Sequence, residues 1–243
     1  LLESIDLLFD QRKPVKDYMS YPWNVHGFIF SRFPGDVFKR GTGTLVGKRS
    51  VITAAHCLYL KEKTAHGYKY TPAKETYFFS GLKGKESLYS SKVLKELVHP
   101  KYLQNDSLYD YGLVKLEDNI GAKTGYASLI VAEDAELDDQ TVNVTGYPGY
   151  VGAFRHLIRK DTFIMYTSSG QIKFVDKHMI RYHIDTSGGQ SGSGVWALNK
   201  EDIVECCGVH IMGSKLEGNG AIRINDENFE TIQNWLKKFE SDT

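Results

Sequence analysis

Chain breaks constrain this sequence more than any single motif does. Turns such as Pro34-Gly35-Asp36, Tyr147-Pro148-Gly149 and Glu217-Gly218-Asn219-Gly220 cut it into short runs rich in β-branched and aromatic residues. Val25–Phe30, Gly43–Val46, Ser50–Ala54, Thr76–Phe79, Val93–Val98 and Gly112–Leu116 read as strands in the first half. Thr141–Thr145, Asp161–Tyr166, Gln171–Phe174, Met179–Ile184, Gly194–Leu198, Ile203–Ile211 and Ala221–Ile224 do so in the second. Many follow one another at about 8–12 residues, the rhythm of an all-β sandwich or barrel. A polar, acidic stretch at Asn119–Asp139 lies between the two sets, so two β-barrels joined there fit. One segment leaves this rhythm. After Asn225 or Asp226, residues Phe229, Ile232, Trp235, Leu236 and Phe239 recur at three- and four-residue steps, predicting a helix with one apolar stripe. A shorter helix is predicted over Leu1–Phe9, where Ile5, Leu8 and Phe9 share a face.

Charge and composition then remove whole classes of function. The 243 residues carry 30 Lys+Arg against 30 Asp+Glu, and that balance lacks the basic surface on which nucleic-acid binding rests. No run of apolar residues is long enough to cross a bilayer, so neither nucleic acid nor membrane is an expected partner. A hydrophobic content of 41% suffices for a buried core. Cys57, Cys206 and Cys207 form no Cys-x-x-Cys pair, and their odd number leaves at least one thiol unbridged within the chain. His178 and His183 are five apart on an extended run, which is poor geometry for a shared ion, so no metal is expected. His99 and His66 read as surface-loop residues.

Three segments carry chemistry. Val51-Ile52-Thr53-Ala54-Ala55-His56-Cys57 ends a strand on a histidine. Tyr109-Asp110-Tyr111-Gly112-Leu113-Val114 sets an aspartate at the mouth of an apolar strand, which singles out Asp110 over Asp106 and Asp118. Thr186-Ser187-Gly188-Gly189-Gln190-Ser191-Gly192-Ser193-Gly194 is a glycine-dense loop around serines. Such a loop can turn two N–H groups the same way, as stabilisation of an oxyanion requires. A serine hydroxyl becomes a nucleophile when a histidine takes its proton and a carboxylate orients that histidine.

Through Thr53-Ala54-Ala55-His56-Cys57, Asp110-Tyr111-Gly112-Leu113 and Gly189-Gln190-Ser191-Gly192-Ser193 the chain resembles the trypsin-like serine proteases. Val144-Thr145-Gly146-Tyr147-Pro148-Gly149, Gly208-Val209-His210 and Asn219-Gly220-Ala221-Ile222-Arg223-Ile224 narrow the likeness to the glutamyl endopeptidase branch, which includes the exfoliative toxins. The resemblance implies an N-terminal extension over residues 1–20 and one unit over 21–243: two antiparallel six-stranded β-barrels, about 21–120 and 135–224, and a C-terminal helix over about 226–239. It also implies Ser191 as nucleophile, His56 as general base, Asp110 as its orienting carboxylate, and the N–H groups of Gly189 and Ser191 as oxyanion hole. Thr186 and His210 would contact the carboxylate of a Glu (less readily Asp) before the scissile bond, His210 as an imidazolium held by that charge. Ile211, Met212 and Gly213 would pair with the substrate backbone as an added strand. The expected enzyme is secreted, monomeric and free of cofactors, and acts on protein or peptide substrates.

Two departures stand out. The cysteine that partners the one after the catalytic histidine in many relatives falls at Gly41, so Cys57 is expected as a free thiol. The stretch before Asp10-Gln11-Arg12 is longer than in glutamyl endopeptidases whose processed terminal amine helps bind substrate. Either Leu1–Ser4 is trimmed to expose Ile5, or charge recognition rests on His210 and Thr186 alone. A latent protease of narrow, exfoliative-toxin-like specificity and a catalytically silent binding protein are the rival readings.

Overall fold

The computed structural model describes residues 10–149, 163–214 and 218–241. The expected helix over residues 1–9 lies outside them, as does the start of the strand expected at Asp161. In chain order the strands of the first half are β1 (Lys13–Pro14), β2 (His26–Phe33), β3 (Val37–Leu45), β4 (Ser50–Thr53), β5 (Tyr59–Thr64), β6 (Gly67–Pro72), β7 (Glu75–Lys83), β8 (Glu86–Val98) and β9 (Gly112–Leu116). The second half adds β10 (Ser128–Leu129), β11 (Thr141–Gly146), β12 (Tyr166–Val175), β13 (Met179–Tyr182), β14 (Gly194–Leu198), β15 (Val204–Ser214) and β16 (Gly218–Arg223). The helices are α1 (Ala55–Leu58), α2 (Pro100–Leu103), α3 (Gly121–Thr124), α4 (Asp134–Leu137) and α5 (Asp226–Ser241).

Two closed six-stranded antiparallel barrels result. The first runs β2-β3-β4-β9-β8-β7. The second closes through β11, β14, β15, β16, β13 and β12, with β1 added on the edge of β12. Closure removes the exposed edges that an open sheet of this length would present. Ile29, Leu45, Val51, Phe78, Val114 and Leu116 fill the first barrel. Val142, Val144, Ile172, Ile180, Tyr182 and Val195 fill the second.

Aromatic residues join the halves. Trp196 of β14 packs edge-on against Trp23 at 5.8 Å and beside His26 at 5.3 Å, while its indole N–H donates to Thr145 Oγ1 at 3.1 Å. Tyr147 meets Phe28 edge-on at 5.7 Å, and its hydroxyl accepts the Leu82 N–H at 2.9 Å. These contacts pin the second barrel to the first.

The terminal helix forms for the reasons its sequence suggests. The Asn225 side chain accepts the Asn228 N–H at 2.9 Å, the capping bond that an N-terminal turn needs. Ile232 and Phe239 are buried against Tyr111, Leu113 and Ile224, with Phe229, Trp235 and Leu236 partly covered beside them. Three strand readings need correction. The hairpin β5–β6 carries no strand signal because both its faces meet solvent, so no apolar alternation marks it. β8 is 13 residues long where only its last six look extended, its first half being mostly Ser, Tyr, Lys and Glu. β12 runs unbroken from Tyr166 to Val175, whereas the sequence reads as strands at Asp161–Tyr166 and Gln171–Phe174 with a break at Thr167–Gly170, and residues 163–165 belong to no strand.

Candidate active site

β4 and β9 pair with Thr53 opposite Gly112, and from this register the two halves of an acid–base couple follow. Three residues past Thr53, α1 holds His56 in its first turn, with Ala54 and Ala55 fully buried behind it. Two residues before Gly112, the chain leaves a tight turn over Ser107–Tyr109 at Asp110. The Asp110 carboxylate accepts twice from one residue: Oδ1 from the His56 backbone N–H at 2.9 Å and Oδ2 from the ring Nδ1 at 2.7 Å. Burial by itself disfavours the imidazolium. The adjacent Asp110 carboxylate, with a further contribution from Cys57, outweighs it and lifts the His56 pKa well above 6.5. With Nδ1 so engaged, the ring's Nε2 is the nitrogen left for proton transfer.

The serine loop passes directly against this couple. The Ser191 carbonyl accepts the Thr42 N–H at 2.8 Å and lies 3.6 Å from the Cys57 thiol, next in sequence to His56. Only glycine fits the following position. Gly192 has φ +88°, and a Cβ there would overlap the Thr42 carbonyl and the Thr53 hydroxyl. Among the described residues no hydrogen bond joins the Ser191 hydroxyl to the His56 ring. Such bonds are often long in empty sites and tighten when substrate binds.

Two peptide planes orient the candidate oxyanion donors. A trans peptide directs its C=O and N–H to opposite sides. The Gly188 carbonyl accepts the Gly149 N–H at 2.5 Å, so the Gly189 N–H points away from Gly149. The Gln190 carbonyl accepts the Ser193 N–H at 3.0 Å, so the Ser191 N–H points away from Ser193. Gly189 sits at φ +102°, and a Cβ would come within 2.5 Å of the Tyr147 carbonyl. Its own carbonyl accepts the Thr42 hydroxyl at 2.9 Å.

His210 and Thr186 are both fully buried. His210 Nδ1 lies 2.7 Å from the Tyr182 hydroxyl, whereas Nε2 and the Thr186 Oγ1 have no partner among the described residues. Burial, with a smaller contribution from nearby His56, pushes the His210 imidazole down to about 3. The resting ring is therefore neutral, and the imidazolium expected from the sequence belongs to the state in which a substrate carboxylate stands beside it. Where the Tyr182 hydroxyl donates to Nδ1, the neutral ring's single proton sits on Nε2.

Ile211, Met212 and Gly213 continue β15. On one side this strand pairs with β16, with a shift between His210 and Met212; on the other, pairing with β14 stops at Val209. The backbone beyond His210 thus presents an edge without a neighbouring strand among the described residues. Cys57, Cys206 and Cys207 are free and buried, and Gly41 stands against the Cys57 sulfur, where a Cβ would lie 2.5 Å from it. His99 is buried, stacked on Tyr109 at 4.3 Å, and not on a surface loop. Tyr182, Thr42 and Arg12 also reach the site. Tyr182 and Thr42 sit on unrelated strands and Arg12 just before β1, none in a local motif, so only the topology reveals them.

Comparison with known proteins fits this geometry. The family model described as Trypsin matches residues 12–236. A glutamyl endopeptidase of Bacillus licheniformis is 27% identical over 93% of this chain and 67% of its own length. A glutamyl endopeptidase of Staphylococcus aureus is 27% identical over 81% of this chain, which spans about half of that relative, 53%. A solved Glu endopeptidase structure, bound to MPD, superposes with a TM-score of 0.75 at 24% identity, covering 96% of this chain and 100% of that one. With a match that begins at Arg12 and runs almost to the end of the last helix, the chain belongs to the trypsin family of serine endopeptidases and is similar within it to glutamyl endopeptidases.

Proposed function

We propose that the protein cleaves peptide bonds after glutamate, and less readily after aspartate, through an acyl-enzyme on Ser191. His56 Nε2 takes the Ser191 proton as Oγ attacks the scissile carbonyl, and Asp110 stabilises the imidazolium formed. The oxyanion is met by the N–H groups of Gly189 and Ser191. As the tetrahedral species collapses, the C–N bond breaks and His56 gives its proton to the leaving amine. Water then attacks the ester with His56 again as base, which restores Ser191. The substrate backbone pairs with Ile211–Gly213.

The observation that carries the specificity is the pair of partnerless buried atoms, His210 Nε2 and Thr186 Oγ1. A buried polar group without a partner costs about 1–3 kcal/mol. A substrate carboxylate accepting from both relieves that cost and offsets its own desolvation. Its charge also favours the protonated ring, so proton uptake at His210 accompanies binding. The partners on this reading are protein or peptide substrates, met outside the cell.

A cleavage-site profile on a peptide library tests the proposal. Glu before the cut should dominate, and His210→Ala should depress Glu cleavage far more than cleavage after uncharged residues. An equal loss for both, or a profile without acidic preference, contradicts it. Cleavage of a single folded protein with no peptide turnover would point to narrow, toxin-like specificity instead.

A further inference from the structure

Arg12 occupies an unusual place. Its neighbours Gln11, Lys13 and Pro14 are exposed, yet its own side chain is completely buried, at 0% exposure. Burying a guanidinium requires compensation, and Asp10 supplies it: Nε and Nη2 donate to the two Asp10 oxygens at 2.8 and 2.7 Å. The remaining nitrogen turns inward. Nη1 donates to Ser187 Oγ at 2.6 Å and to Gln190 Oε1 at 3.3 Å. Gln190 Oε1 also accepts the Ser187 N–H at 3.0 Å, and the Gln190 N–H donates to the Ser187 carbonyl at 3.0 Å. The turn from Ser187 to Gln190 is thereby closed on itself and bonded to one buried cation. Gly189 lies inside that turn, and the peptide after Gln190 carries the Ser191 N–H.

We propose that Arg12 is a positioning residue whose guanidinium, neutralised by Asp10, holds the Ser187–Gln190 turn so that the Gly189 and Ser191 N–H groups face the reacting carbonyl. This rests on the Ser191 reading above. A guanidinium suits the task because its rigid fork meets a carboxylate and two further oxygens at once, which an ammonium cannot do. Anchoring the N-terminal segment is a separate matter. That segment already pairs with β12, the Val15 N–H donates to the Met165 carbonyl at 2.9 Å, and the Gln11 N–H donates to Asp185 at 2.8 Å. The Arg12 fork instead ends on the two residues that flank Gly188-Gly189.

Steady-state kinetics of the full chain on a Glu-containing chromogenic peptide, with melting curves alongside, test the assignment on Arg12→Lys, Arg12→Ala and Ser187→Ala. Arg12→Lys and Arg12→Ala should lower kcat by about 10²-fold, the scale of losing one oxyanion donor, with KM within about threefold. Added guanidinium below denaturing concentration should restore part of kcat to Arg12→Ala. Ser187→Ala, which removes one acceptor and little volume, should lose about tenfold in kcat and decides the matter should both Arg12 variants fail to fold. Folded variants that melt earlier yet keep kcat within about twofold of the wild type would show Arg12 to be only a staple. A wild type without turnover that depends on Ser191 would instead overturn the underlying reading.

Discussion

Single residues here owe their chemistry to partners far away in the chain. His56 gains basicity because Asp110 accepts from both its ring and its backbone, and this has a measurable sign. General-base catalysis needs the ring unprotonated, so a pKa raised above 6.5 makes kcat/KM fall on the acid side of a limb lying above pH 6.5. A limb at or below that value in a kcat/KM profile would mean that the carboxylate does not govern the ring. His56, Asp110 and Ser191 could be singled out because each stands in a local context (a histidine closing a strand, an acid opening one, a serine amid glycines), and the structure joins the first two directly. Tyr182 behind His210 and Arg12 behind Gln190 could not be, since neither has a local sequence mark. The neutral state of His210 was equally hidden, because it follows from complete burial, which no run of neighbours reveals.

Among the elements, legibility followed the presence of a buried face. Helix α5 shows a stripe at helical spacing because one side of it rests on the core, and its extent was read almost to the residue. Ile232 is fully buried in that contact, so Ile232→Ala should destabilise the fold by about 2–5 kcal/mol in urea unfolding. A loss under about 1 kcal/mol would mean that the helix is not docked as described. The hairpin β5–β6 fails the same criterion. Lys61, Lys63, Tyr68 and Tyr70 share one of its faces, with the Lys61 ammonium 4.2 Å from the Tyr68 ring centroid, and of these only Tyr70 meets the core, edge-on against Tyr102 at 5.3 Å, so no apolar period marks the pair. β12 was misread for another reason: Ser168-Ser169-Gly170 looks like a turn, yet its backbone pairs throughout with Val142, Asn143 and Val144 of β11.

For the whole molecule, the two barrels bring the His56–Asp110 couple of the first against the serine loop of the second. His26 stands at that junction, fully buried beside Trp196, and burial holds its imidazole down to about 3. Below pH 6.5 the unfolded chain binds a proton there that the folded chain refuses, so stability is lost as pH falls from 6.5 toward 3. From pH 6.5 to 5 this one residue should cost about 2 kcal/mol, and a folded His26→Asn variant should show a correspondingly shallower acid slope. An unchanged slope would place His26 in contact with solvent. The proposed mechanism depends above all on Ser191 being the nucleophile that His56 activates. Intact-mass and peptide-mapping analysis after treatment with a fluorophosphonate tests this most directly. One covalent adduct on Ser191 is predicted, absent in Ser191→Ala and formed several decades more slowly in His56→Ala; an adduct on another residue, or a rate indifferent to His56, would contradict it.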